Sequence, residues 1–159
     1  MTARNKEKTI IGRAEEIHFP TLGDCSLFAR IDTGAKTSSI WATNITKTLE
    51  GLRVRFADDQ HDINRHEVLF TTYEKVQVAS STGHVQERYK IKLPIVIKGR
   101  RIQASFTLAD RSTQVYPVLI GRSTLMKKFI VDVSTGTPLI EQEKRRSDQL
   151  QSIIREEEI

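Results

Sequence analysis

Phe28-Ala29-Arg30-Ile31-Asp32-Thr33-Gly34-Ala35 is the stretch on which the fold turns. From Ser26 to Ile31 the chain alternates, with Leu27, Ala29 and Ile31 at every second position, the period of a half-buried strand. That strand runs directly into an acidic residue, a hydroxyl residue and a glycine. A strand that delivers a carboxylate into a glycine turn sets it at a sheet rim, where the backbone lies open to a ligand. Taken alone, the tripeptide reads first as an ordinary Asx turn, in which the aspartate caps its own backbone.

Working outward, short alternating runs recur. Thr9–Ile17 reads as a strand broken at Gly12, followed by a loop and then Cys25–Ile31. Lys36–Ala42 is ambiguous between an extended segment and a turn. Leu52–Phe56 and Val68–Phe70 are β-like, and Ala57–Arg65 reads as a polar loop. Tyr73–Val78 and Val85–Leu93 form a long hairpin pattern about a Ser80-Ser81-Thr82-Gly83-His84 turn. Ile102–Leu108 alternates again. Val115–Gly121 reads as a buried strand, Ser123 as the cap of a short helix, and Phe129–Val133 as a last strand. Many short strands with one late helix point to an all-β barrel or sandwich. Asp132-Val133-Ser134-Thr135-Gly136 echoes the first turn only faintly, and no internal repeat is read from it.

Three regions are expected: a disordered N-terminus over 1–8, a barrel domain over 9–140, and a charged helical or disordered tail over 141–159. The tail carries Leu150, Ile153 and Ile154 at helical spacing. At 159 residues the chain suits one domain with a real core. The net charge of +5 permits a polyanionic partner without demanding one. Its basic clusters (Lys98 with Arg100 and Arg101, Lys127 with Lys128, Arg145 with Arg146) have no interleaved aromatics, which argues against nucleic acid. The lone Cys25 excludes an internal disulfide and reads as a small strand residue. No apolar run has signal or membrane-spanning length, so a cytoplasmic protein off the membrane is expected.

A second stretch changes the reading of the first. Val118-Leu119-Ile120-Gly121-Arg122 is a strongly apolar strand that ends in Gly-Arg ahead of the short helix. The order of turn, hairpin and apolar-Gly strand resembles the retropepsin-like aspartic peptidases. Ala29 to Ser38, Ser81 to Arg88 and Leu119 to Ser123 are similar to the signatures of a bacterial family long labelled ATP-dependent zinc proteases. That likeness covers roughly residues 9–140. The family is now usually regarded as retropepsin-like. Some of its members occur near, or fused to, ATP-grasp ligases that add glutamates to a ribosomal protein.

The resemblance implies a closed acid-protease barrel with one short helix near the C-terminus. It also implies an aspartic endopeptidase acting on a peptide or protein substrate without a cofactor. Hydrolysis without a covalent intermediate needs a base to activate water and an acid to protonate the carbonyl oxygen. Two carboxylates about 3 Å apart serve both roles, because they share one proton. The chain has one Asp-Thr-Gly, so the resemblance implies a homodimer with Asp32 of each subunit on a two-fold axis. Thr33 would bond across that axis, Gly34 would admit the substrate backbone, and Ala35 would complete the turn. Residues 73–93 would form a flap hinged at Gly83, with His84 and Arg88 available to substrate. Gly121 and Arg122 are expected to be structural. The spacing of 89 from Asp32 to Gly121 exceeds that of the compact viral enzymes and places an insertion in Leu49–Leu69.

Lys36 departs from the pepsin-like pattern, and an ammonium beside the dyad would favour its ionised form. The zinc label finds no His-Glu-x-x-His helix motif. His61 and His66 lie five apart in a segment that reads as a polar loop, and no phosphate-binding glycine loop encodes an ATP site. Two other readings stand beside the peptidase. One is a non-catalytic peptide-binding or dimerisation module of the same fold associated with peptide-modifying enzymes. The other is a basic β-barrel that binds nucleic acid.

Overall fold

The computed structural model describes residues 7–57, 67–80 and 82–158. The expectations of a disordered start at 1–6, of the loop over 58–65 and of any role for His61 and His66 lie outside the described residues. The first strands are β1 (Thr9–Ile11), β2 (Ala14–Phe19), β3 (Cys25–Ile31), β4 (Ser38–Lys47), β5 (Leu52–Phe56) and β6 (Glu67–Phe70). Next come β7 (Glu74–Ala79), β8 (Val85–Ile97), β9 (Arg100–Ala109) and β10 (Val118–Ile120). The chain ends with α1 (Arg122–Leu125), β11 (Phe129–Val131) and α2 (Ile140–Glu157).

Six strands close a barrel in the order β3, β2, β8, β9, β4, β10 and back to β3. Closure depends on β10, which pairs parallel with β3 (Val118↔Ala29) and antiparallel with β4 (Val118↔Ile40). Val118 and Ile120 of β10 are fully buried and Leu119 on the opposite face is half-buried, which explains why its sequence is a continuous apolar run. Inside the ring the alternate residues Leu27 and Ala29, Leu93 and Ile95, and Ala104 and Phe106 fill the core, with Phe19 against Phe106 at 6.0 Å between rings. The β5–β6 hairpin hangs from β4 outside this ring, within the segment where the long Asp32–Gly121 spacing places an insertion.

Several boundaries differ from the sequence reading. The ambiguous Lys36–Ala42 region joins β4 from Ser38 onward, and the buried Ser38 and Ser39 disguise a core strand as polar. β8 runs unbroken through Pro94, which pairs with Gln103 of β9, while β7 on its other side reaches only as far as Lys90 and β2 pairs only at Val96. Proline is tolerated there because no ladder partner needs its missing N–H. α1 begins at Arg122 with Gly121 as its N-cap and no side-chain cap bond, so Ser123 is not the cap. The buried strand expected over Val115–Gly121 shortens to Val118–Ile120. The tail forms α2, and no helix among the described residues is long and apolar enough to cross a membrane.

The faint echo at Asp132 is structural. β1 runs parallel to β11 (Ile11↔Val131) as β10 runs parallel to β3 (Ile120↔Ile31). The Asp132 N–H bonds Ile11 O at 2.8 Å, as the Asp32 N–H bonds Ile120 O at 2.8 Å. The likeness lies in the backbone, so side-chain identity under-reports it.

Candidate active site

β3 delivers Asp32 to the barrel rim, half-buried, and the turn closes on it. Its Oδ1 accepts the Gly34 N–H at 2.9 Å, and its carbonyl accepts the Ala35 N–H at 3.3 Å. The Asx-turn reading therefore holds, and it leaves Oδ2 without a hydrogen bond among the described residues. A Cβ on Gly34 would sit 3.2 Å from Asp32 Oδ1, so glycine keeps the turn tight against the carboxylate. Thr33 is exposed at the apex and Ala35 is half-buried.

Beneath the turn, Gly121 approaches backbone so closely that a Cβ would lie 2.5 Å from Thr37 O and 2.9 Å from Ala35 O. Its N–H donates to Ser38 Oγ at 3.0 Å, and that hydroxyl pairs with Thr124 Oγ1 at 2.7 Å. Thr107 Oγ1 donates to Ser38 O at 3.3 Å, tying β9 to the same point. The N–H groups of Arg122 and Ser123 donate to Ala35 O and Lys36 O at 2.8 and 3.0 Å. Arg122 Nη1 braces the loop from outside, donating to Gly34 O at 2.9 Å and Thr33 O at 3.2 Å. Ser38, Thr107 and Thr124 carry this scaffold and were not singled out in the sequence. Only the position of Ser38 in the Thr37-Ser38 end of the quoted signature pointed to it.

A cavity of about 850 Å³ opens between the turn and β7, lined by Asp32, Gly34 and Lys36 on one side and by Val76, Val78 and Ser80 on the other. The β7–β8 hairpin thus roofs the carboxylate. At its tip Gly83 adopts φ +84° and donates its N–H to Ser80 O at 3.0 Å. Glycine suits that left-handed conformation. Gly83 and His84 are exposed at the tip and do not line the cavity, nor does the half-buried Arg88, which faces Val76 across the hairpin. Lys36 does line it.

Arg111 went unnoticed in the sequence because it sits in a polar loop. Half-buried, it donates from Nε to Tyr116 O at 2.9 Å and from Nη1 to Ser39 Oγ at 3.3 Å. Burial first, then the like charges of Arg30 and Arg88, pull its guanidinium down to about 10, and the Asp32 carboxylate opposes them. A cationic field therefore borders Asp32. A second cavity, of about 580 Å³, lies between this region and α2 and is lined by Arg13, Arg30, Ile31, Arg111, Glu143 and Arg146 among others. Glu143 accepts from Arg13 Nη1 and Nη2 at 2.8 and 3.1 Å, which holds its carboxyl below the usual range. Burial and the bond to Glu143 push the Tyr116 hydroxyl up to about 12. Among the described residues, no group of three or more His, Cys, Asp and Glu side chains is disposed to hold a metal ion.

Residues 10–141 match the family model described as RimB-like: retropepsin-like aspartic endopeptidase RimB. A protein named "Probable alpha-L-glutamate ligase" from Shewanella halifaxensis is 32% identical over 151 residues, 92% of this chain and 33% of its own length. One of the same name from Desulfotalea psychrophila is 34% identical over 130 residues, 79% of this chain and 28% of its own length. The chain spans about a third of the length of these curated relatives, and their names carry the ligase, not a zinc protease. A crystal structure of a Legionella pneumophila protein of unknown function superposes with a TM-score of 0.55 at 23% identity, covering 82% of this chain and 97% of that one. That likeness concerns the fold.

Proposed function

Because the chain belongs to the RimB-like family of retropepsin-like aspartic endopeptidases, we propose that it hydrolyses peptide bonds with Asp32 from two subunits. The observation that carries this reading is the Asp32 carboxylate at the floor of a cavity roofed by β7, on a turn whose Thr33 apex is exposed. One ionised Asp32 takes a proton from the attacking water, while its protonated counterpart gives one to the substrate carbonyl oxygen. Collapse of the tetrahedral intermediate returns a proton to the leaving amine, and the dyad titrates as a pair. Thr33 and its symmetry mate would hold the two turns together, and the β7–β8 hairpin would exclude water.

The substrate we favour is an acidic, glutamate-containing peptide. Arg30, Arg88 and Arg111 interact electrostatically around the Asp32 rim, three cations against the carboxylates of Asp32 and, beside Arg30, of Glu143. Such a field attracts acidic side chains and repels basic ones. The relatives' ligase names are in keeping with a glutamate-bearing partner or product.

The test is cleavage of a glutamate-rich peptide followed by mass spectrometry. Asp32→Asn should reduce turnover about 1,000-fold or more, and Arg111→Gln should raise KM for the acidic peptide with less effect on a neutral one. Activity that survives Asp32→Asn removes the assignment. The fusion-sized relatives favour one alternative, a non-catalytic module that presents peptides to a ligase. Equal peptide binding by wild type and Asp32→Asn, without cleavage by either, would favour it.

A further inference from the structure

The cavity between the barrel and α2 already holds a carboxylate, and it is the chain's own. Glu143, in the first turns of α2, accepts from Arg13 Nη1 and Nη2 at 2.8 and 3.1 Å and from the Tyr116 hydroxyl. A forked guanidinium that meets both oxygens, with a phenol O–H beside it, is a set of donors suited to a carboxylate. The buried Tyr116 hydroxyl also accepts the Leu139 N–H at 3.0 Å, so one group fixes both the carboxylate and the start of α2.

Cations outnumber that carboxylate. Arg30, Arg111 and Arg146 line the same space of about 580 Å³, yet among the described residues Arg13 alone of the four is ion-paired. Ile31 lines this cavity and Asp32, the next residue, lines the one under β7, so the end of β3 borders both. The helix itself is lightly held. No residue of α2 is buried, and an ion pair whose side chains are 41 and 29% exposed is weak against water.

We propose that this cavity is a carboxylate-binding subsite with Glu143 as its resident occupant. An acidic side chain of the substrate displaces Glu143 from Arg13 and Tyr116 and frees the first turns of α2. A ligand with several carboxylates gains Arg30, Arg111 and Arg146 as further partners, which Glu143 alone does not use. Glu143 thus acts as a built-in competitor, and the subsite selects for more than one acid group. The proposal rests on the reading of an acidic substrate at Asp32.

The test is calorimetric titration of tetraglutamate into the full chain carrying Asp32→Asn, with α2 followed by hydrogen exchange and mass spectrometry. Tetraglutamate should speed amide exchange in the first turns of α2. Adding Glu143→Gln should tighten binding about fivefold, because the competitor is lost, and abolish any further speeding of α2. Arg13→Gln also frees α2 but should weaken binding about tenfold, whereas a merely structural ion pair would shift the two variants alike. Glu141→Gln removes the same charge from a side chain that is 88% exposed and should stay within about twofold. Absence of binding, unchanged or slower exchange in α2, a shift in the same direction for Glu143→Gln and Arg13→Gln, or an equal gain from Glu141→Gln overturns the subsite. Each leaves the peptidase reading standing if the unmutated chain cleaves peptide. Binding as expected by a chain that cleaves nothing does the reverse.

Discussion

At one turn β3 delivers Asp32, whose N–H bonds Ile120 O while Leu119-Ile120-Gly121-Arg122 passes beneath. At the other, β11 delivers Asp132, whose N–H bonds Ile11 O while Ile10-Ile11-Gly12-Arg13 passes beneath. Each glycine is pressed onto the opposite loop: a Cβ on Gly12 would come within 2.1 Å of Thr135 O, and one on Gly121 within 2.5 Å of Thr37 O. Each glycine N–H finds a side-chain acceptor, Glu15 Oε1 at 2.8 Å and Ser38 Oγ at 3.0 Å. Each following N–H bonds a turn carbonyl, Arg13 to Thr135 O and Arg122 to Ala35 O.

The surroundings separate the two. Asp132 Oδ1 takes two donors from Ser134, the N–H at 3.0 Å and Oγ at 2.6 Å, which hold its carboxyl below the usual range. Asp32 Oδ1 takes only Gly34 N–H, and its turn borders the cavity under β7. Arg122 braces the Asp32 turn that it passes beneath, whereas Arg13 reaches away from the Asp132 turn to Glu143 of α2. An aspartate turn on a wedged strand is therefore a structural device first. It becomes a candidate site where a roof and a cationic field are added.

The largest expected contrast is chemical. Asp32→Asn should abolish peptide cleavage, a loss of about 1,000-fold or more, while Asp132→Asn leaves kcat/KM within roughly twofold because nothing there faces substrate. Equal losses at the two positions would mean that the Asp132 turn supports the site through the fold. Next in size are the two buried glycines. Gly121→Ala and Gly12→Ala should each destabilise by roughly 3 kcal/mol, since the obstructing atoms are backbone. Urea midpoints measure this, and a Gly12→Ala protein of near-wild-type stability would break the equivalence of the two arms.

The arginines should diverge more modestly. Arg122→Ala removes donors to Thr33 O and Gly34 O at an exposed position, costing about 1 kcal/mol of stability. It should lower kcat/KM about tenfold by loosening the turn. Arg13→Ala should instead speed amide exchange in α2, read by hydrogen exchange and mass spectrometry.

How far this was legible from sequence follows the same line. The Asp32 turn, the strand at Cys25–Ile31 and the apolar run into Gly121 could be read because period-two patterning and a glycine turn are local signals. Closure of the barrel was legible only through the family resemblance and not from local patterning, because β10 sits between β3 and β4 by long-range pairing. Ser38 and Ser39 of β4 mimic a loop, as their hydroxyls replace apolar packing with hydrogen bonds to Thr124, Gly121 and Arg111. Arg111 escaped for a related reason: its donors go to the Tyr116 carbonyl in its own loop and to the Ser39 hydroxyl of the distant strand β4. The Asp132 arm was dismissed because two turns can share a backbone plan while sharing little more than an aspartate and a glycine.

The smallest effect is a pH dependence confined to one arm. Hydrogen bonds from Arg13, and then from Tyr116, lower the Glu143 carboxyl below its ordinary value near 4.5, against the opposing effect of burial. A lowered folded pKa means that the fold favours the charged form. The contribution is complete above the unfolded value and is lost as pH falls through the folded one. With Arg13 and Glu143 side chains 41 and 29% exposed, solvent screening keeps it below about 1 kcal/mol. The Arg122 arm has no counterpart, because its acceptors are carbonyls that do not titrate. Acidification from about pH 5 to about pH 3 should therefore lower the protection factors of amides in α2, with exchange corrected for its intrinsic pH dependence, before it does so in the Asp32 turn. Glu143→Gln should remove that pH dependence while leaving the turn as protected as before. Retention of the α2 response in Glu143→Gln would assign it to another carboxylate and dissolve this last difference between the arms.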